Sequence, residues 1–123
     1  DKAAIENYSG VGIKSVQTFM EIDYCGEKIL LTHDPVQILY LVAQEQGFSI
    51  KGLSWDSPLV RMLVESLPHK IFCGHVHRLF RRYGQIVNIG VDVWGYCPVA
   101  IEEALSAYHE PSNVWNIQHH KKI

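Results

Sequence analysis

The sequence predicts a mixed α/β domain, and three observations lead there. Two strand-like stretches come first, close enough to pair as a hairpin; helical stretches then separate further strands; and one apolar run, Ile29-Leu30-Leu31, lacks the alternation of a half-exposed strand. With 123 residues the chain suits one domain with one core. A hydrophobic content of 47% with 20% charge is globular composition, neither disordered nor fibrous.

The elements follow in order. Residues 1–14 mix polar residues with Gly10 and Gly12 and read as a helix remnant and loop. From Val16 the pattern is that of a strand: Val16, Thr18, Met20, Ile22 and Tyr24 alternate with Gln17, Glu21 and Asp23, with Phe19 as the exception. Cys25-Gly26-Glu27 turns the chain, and Lys28–Thr32 returns as a strand covered on both faces. His33-Asp34-Pro35 ends it. Residues 36–46, VQILYLVAQEQ, are long and apolar enough for a helix, with Gly47 as its stop.

A loop over 48–57 leads to Ser57-Pro58, an N-cap followed by a first-turn proline, and so to a helix over Leu59–Leu67 ended by Pro68. Ile71–Cys73 is a short buried strand. Leu79–Arg82 and Ile86–Val91 read as two strands joined around Tyr83-Gly84-Gln85, and 102–109 as a short helix.

Charge and cysteine usage bound the function. A net charge of −2 gives no global attraction to nucleic acid or to an anionic membrane. No apolar run approaches the roughly 20 residues that span a bilayer, and no secretory signal pattern opens the chain. Cys25, Cys73 and Cys97 are odd in number and widely spaced, which points to free thiols in a reducing, cytoplasmic setting. Cys73, at the end of a buried strand, reads as an inert core thiol.

The stretch IFCGHVHRLF, residues 71–80, carries the chemistry. His75 and His77 follow a short apolar strand through Gly74, and His33 closes another such strand. Strand ends hold side chains on a rigid scaffold while leaving them open to solvent. Glycine admits backbone angles closed to other residues and a near approach to a ligand. Neutral imidazole binds Zn, Mn, Fe and Ni alike. Two imidazoles from one loop can serve one metal, or one each of two metals about 3.5–4 Å apart, as in hydrolases of phosphate esters.

An H-x-H pair by itself is also a common feature of exposed strands. The second strand-end histidine is what favours ligation. Three histidines still cannot complete two metal shells, which normally need bridging carboxylates.

Other candidates are weaker. Asp34 and Asp92 adjoin the histidines, but loop aspartates usually bond their own backbone. Arg78, Arg81 and Arg82 read as solvated charge. His69, His109, His119 and His120 read as surface, and Trp55, Trp94 and Trp115 as core or rim packing.

Three blocks, KILLTHDPV (28–36), IFCGHVHRLF (71–80) and IVNIGVDVWGYCPVAIEEA (86–104), together resemble the calcineurin-like metallophosphoesterases. That family has a G-H-x-H motif, an upstream histidine after a hydrophobic strand and, in many members, an N-x-G-x-D-x-W segment. The likeness spans most of 15–104.

The resemblance implies roles. His33 and His75 would bind the second of two divalent metal ions (Mn, Zn, Fe or Ni), and His77 the first. It also implies a four-layer α/β/β/α sandwich, of which residues 1–123 would be the C-terminal portion. The family's D-x-H, G-D-x-x-D and G-N-H-D motifs are not complete in this sequence. Asp1 falls where the last residue of G-N-H-D would stand, which resembles the carboxylate that orients the catalytic histidine.

The expectation is a phosphomonoester or phosphodiester hydrolase of which this chain supplies part of the site. A missing N-terminal half or another chain would cover an otherwise exposed apolar face, and the partner molecule would be a phosphate ester. Two alternatives stay open: a binding or scaffold module that keeps the fold without catalysis, and a single zinc held by three histidines and water.

Overall fold

A computed structural model of the chain describes residues 19–76, 78–112, 114 and 122–123. The readings placed on 1–18, His77, Trp115, His119 and His120, Asp1 among them, lie outside the described residues.

Strands β1 (Phe19–Tyr24) and β2 (Glu27–Thr32) form the predicted hairpin, with Tyr24 opposite Glu27. Its loop is only Cys25-Gly26. Both residues have positive φ, 51° and 84°, the twist that two-residue hairpin loops require.

Helix α1 (Val36–Glu45) stops as the sequence predicts. The Gly47 N–H donates to Gln44 C=O and the Phe48 N–H to Ala43 C=O, each at 3.0 Å, the double closure of a Schellman end. Helix α2 (Pro58–Glu65) starts on Ser57, whose Oγ accepts from the Val60 N–H at 3.3 Å.

Then come β3 (Lys70–Cys73), β4 (Arg82–Tyr83), β5 (Ile86–Asn88), a 3-10 turn at Val91–Val93, helix α3 (Ile101–Ser106) and a 3-10 turn at Ala107–His109. No helix among the described residues is long and apolar enough to cross a membrane.

The five strands make one mixed sheet in the order β1-β2-β3-β5-β4. β2, β3 and β5 run parallel, and the two outer strands are antiparallel to their neighbours. Register sorts the apolar residues between faces. Leu30, Ile71 and Ile86 lie in line and pack with Ile38, Leu39 and Ala43 of α1 and Val60, Leu63 and Val64 of α2. Leu31, Phe72 and Val87, one step along, pack with Ile29 beneath Ala104 and Ala107. The run Ile29-Leu30-Leu31 therefore lacks alternation because helices lie against both faces of the sheet. On the α3 side the centre is filled, while Met20, Ile22 and Leu31 toward the β1 edge are half-buried.

Two strands are shorter than the pattern predicts. Leu79 and Phe80 are both fully buried in a turn, so their side chains share one core and cannot alternate across a sheet. β5 ends at Asn88, whose Oδ1 accepts from the Gly90 N–H at 2.8 Å and bends the chain away from the ladder.

Arg81 and Arg82 are not solvated charge. Arg81 Nε and Nη2 donate to Val93 C=O at 3.1 and 2.8 Å, and its Nη1 pairs with Glu110 at 3.0 Å. Arg82 bonds the carbonyls of Gly84 and Glu110 at 2.9 and 2.8 Å. Both arginines tie the loops after β5 and α3 to the sheet.

Cys73 is buried as expected, while Cys25 and Cys97 are exposed. Burial, reinforced by the charge of Asp34, pushes the Cys73 thiol well up, and burial pushes the Tyr83 phenol up to about 12. A thiol reagent at pH 8 is expected to titrate Cys25 and Cys97 rapidly and Cys73 only after unfolding. Both raised values favour the protonated form in the fold. Their stabilisation is complete below the ordinary thiol value and declines as pH rises above about 8.5, a fall that urea midpoints measured between about pH 8 and 11 will register.

Candidate metal centre

The three parallel strands end on one edge of the sheet, where ligands bind in open α/β folds. Beyond the pairing of Thr32 with Cys73, the Gly74 N–H donates to His33 C=O at 3.1 Å. On the other side of β3 the Ile89 N–H donates to Cys73 C=O at 2.8 Å. The ladder holds the chain until the histidines begin.

His33 and His75 therefore leave adjacent strands side by side. Their rings lie edge to face, with centroids 5.3 Å apart and planes at 71°. Both side chains are exposed. His77 and Asp1 lie outside the described residues, so the structure assembles two of the four residues expected to form the site.

The backbone bend falls one residue later than predicted. Gly74 does not take a left-handed conformation, and a β-carbon there would meet His33 Nδ1 at 3.5 Å, ordinary contact. His75 takes the bend instead, with φ +66°, while the Val76 N–H reaches back to Gly74 C=O at 2.7 Å. This is a three-residue turn of the strained, positive-φ kind. A non-glycine residue held in that region costs about 1–3 kcal/mol and persists only where surrounding packing fixes it. Val76, 1% exposed, supplies the anchor. The His75 ring lies against that of His33 at the end of β2.

Asp34 is the residue whose part the sequence understated. Its Oδ1 accepts from the Val36 N–H at 3.0 Å, the local backbone bond expected of it. Its Oδ2 faces His75 Nε2 at 3.9 Å. The only signal in sequence was its place next to His33, since the approach of His75 needs β3 beside β2.

Does this donor set suit a metal? A nitrogen bound at about 2.1 Å puts the imidazole centre roughly 3.2 Å from the ion. Two rings at right to tetrahedral angles then have centres about 4.5–5.2 Å apart. The observed 5.3 Å lies just beyond the wide end of that range. Among the described residues no group of three or more His, Cys, Asp or Glu side chains is assembled to hold a metal ion. The two rings are near enough to approach one ion, and a metal site would need further donors to complete it.

The neighbouring wall is the loop after β5. Asn88, fully buried, donates from Nδ2 to Phe80 C=O at 3.0 Å, and Trp94 Nε1 donates to Asn88 C=O at 2.6 Å. The Arg81 guanidinium lies 4.6 Å from the centre of the Trp94 ring. Asn88, Gly90 and Trp94 of the N-x-G-x-D-x-W segment thus form a hydrogen-bonded knot that fixes the loop beside the end of β3. Arg78, from the histidine loop, reaches Tyr96 of this wall, with its guanidinium carbon 5.4 Å from the ring centre.

No family model, no curated protein and no solved structure matches this chain.

Proposed function

We propose that this chain carries part of a dinuclear metal site that hydrolyses a phosphomonoester or phosphodiester. The observation that carries the reading is the His33–His75 ring pair, held side by side at the ends of two adjacent parallel strands with centroids 5.3 Å apart, close to the spacing of two imidazoles on one ion. In this reading His33 and His75 hold one divalent cation, His77 belongs to a second, and Asp1 orients a catalytic histidine. Such ions supply Lewis acidity toward a phosphate ester. The protein's own contribution is geometric: the β2–β3 ladder fixes the spacing of the imidazoles, and the strained turn at His75 fixes its direction.

Carboxylate donors are still needed, because neutral imidazoles leave the charge of two cations unbalanced. An additional polypeptide segment or partner chain supplies them and covers the half-buried Met20, Ile22 and Leu31, which completes a four-layer α/β/β/α sandwich.

The test is calorimetric titration of the complete protein with Mn²⁺ or Zn²⁺, together with hydrolysis of an aryl phosphate. His75→Ala and His33→Ala are each expected to weaken binding of one ion at least about 100-fold and to lower hydrolysis in parallel. Their thermal midpoints should stay near wild type, since both rings are exposed. Full hydrolysis by His75→Ala sinks the proposal. A wild-type protein that takes up no metal leaves a binding module with this fold.

A further inference from the structure

We propose that Tyr96 is a stacking platform for a flat ring carried by the phosphate ester, which makes nucleoside phosphates the preferred class over sugar or glycerol phosphates. The inference deepens the hydrolase reading and rests on it for turnover, though not for binding.

Five large hydrophobic side chains among the described residues are exposed. Tyr40, Leu41 and Met62 lie on helices. The other two, Val91 at 41% and Tyr96 at 64%, stand in the loop after β5, at the edge where the three parallel strands end. A single exposed tyrosine is ordinary. The backbone beneath this one is not. Gly95 and Tyr96 take left-handed φ in succession, +66° and +59°. For a tyrosine that conformation is strained and persists only where the surroundings hold it, and such strain clusters at active sites and ligand clamps. Here the Tyr96 N–H donates to Val91 C=O at 2.9 Å and the Cys97 N–H to Trp94 C=O at 3.3 Å, while the Trp94 indole is itself bonded to Asn88 C=O. The main chain is thus fixed, and what it presents to solvent is an aromatic ring.

This ring also borders the histidine loop. The Ile89 N–H, one residue past β5, donates to Cys73 C=O at 2.8 Å, just before Gly74 and His75. Arg78, further along the same loop as His75, sets its guanidinium carbon 5.4 Å from the centre of the Tyr96 ring. The two loops meet at Tyr96, and a positive charge lies beside it. That pairing suits a ligand that is flat at one end and anionic at the other. Nucleobases stack on aromatic side chains whatever their identity, and loss of one such side chain weakens binding about 5–100-fold. Guanidinium groups favour phosphate. Sugar and glycerol phosphates have the anionic end and lack the flat one.

The test compares AMP with ribose phosphate by NMR titration of the complete protein, once with a chelator and once with Zn²⁺. AMP is expected to move the Tyr96 ring signals upfield and to bind at least about 5-fold more tightly than ribose phosphate. Tyr96→Leu is expected to abolish that preference and Tyr96→Phe to keep it. Both variants should melt within about 2 °C of wild type, since the side chain is exposed. In turnover, Tyr96→Leu is expected to raise KM for AMP about 5–100-fold with kcat little changed, and to leave ribose phosphate unaffected.

Equal affinity of wild type for the two ligands under both conditions overturns the proposal. So does a preference for AMP that survives in Tyr96→Leu. A preference that depends on Tyr96, without hydrolysis of either ligand, sinks the hydrolase reading alone and leaves a nucleotide-binding surface.

Discussion

Gly84→Ala is expected to destabilise the fold by about 3–5 kcal/mol, enough to lower the melting temperature by roughly 10–20 °C or to abolish soluble expression. Gly84 sits at φ +59° in the turn between β4 and β5. A β-carbon there would lie 2.4 Å from Val64 O, 2.5 Å from Val64 C and 2.8 Å from the Glu65 N. All three are main-chain atoms of α2, so no rotamer change relieves the clash.

The turn must stay against the helix because the Gln85 N–H donates to Val64 C=O at 2.9 Å, which satisfies a carbonyl at the helix end. The Gly84 N–H donates to Ser112 Oγ at 2.7 Å on the other side. Moving the turn away breaks these bonds, each costing about 1–3 kcal/mol once buried groups lose partners. Gly47→Ala is the control: its φ is +86° with nothing within 4 Å of a new β-carbon, so it should lose only about 1–2 kcal/mol of backbone preference. Urea denaturation of both variants checks the contrast, and equal losses would refute the proposed clash.

Asn88→Ala is expected to cost about 2–4 kcal/mol, and the isosteric Asn88→Asp at least as much. Asn88 is fully buried, and its side chain bridges two loops by donating to Phe80 C=O and accepting from the Gly90 N–H. Alanine leaves both main-chain groups without these partners. Aspartate keeps the acceptor for Gly90 but replaces the donor with a second acceptor against Phe80 C=O, and it buries a charge.

The local consequence is as informative as the global one. The Trp94 indole, bonded to Asn88 C=O at 2.6 Å, should lose its fixed setting, and its fluorescence should shift before global unfolding. An Asn88→Asp protein with wild-type stability would show that the knot contributes nothing.

Much of the architecture is local and was readable from residue order. The Cys25-Gly26 turn, the Gly47 helix stop, the Ser57-Pro58 helix start and the double coverage of Ile29-Leu30-Leu31 each follow from backbone preference or periodicity within a few residues. Where prediction failed, a distant partner decided. Leu79 and Phe80 read as strand, but both enter one core. Arg81 and Arg82 read as solvated charge because nothing nearby in sequence announces Val93 and Glu110 as acceptors. The sequence placed the bend at Gly74, yet it falls at His75, next to the buried Val76.

The sequence by itself determined where the hairpin, the helices and the buried strand before Gly74 fall, and which two strand ends present histidines in the described part of the chain. Only the tertiary structure decided that β3 lies parallel beside β2, which sets the two rings 5.3 Å apart and turns Asp34 toward one of them. The physical reason is range: turns and caps are fixed by torsions a few residues wide, whereas residues 33 and 75 meet only through a sheet whose pairing depends on the burial of both faces.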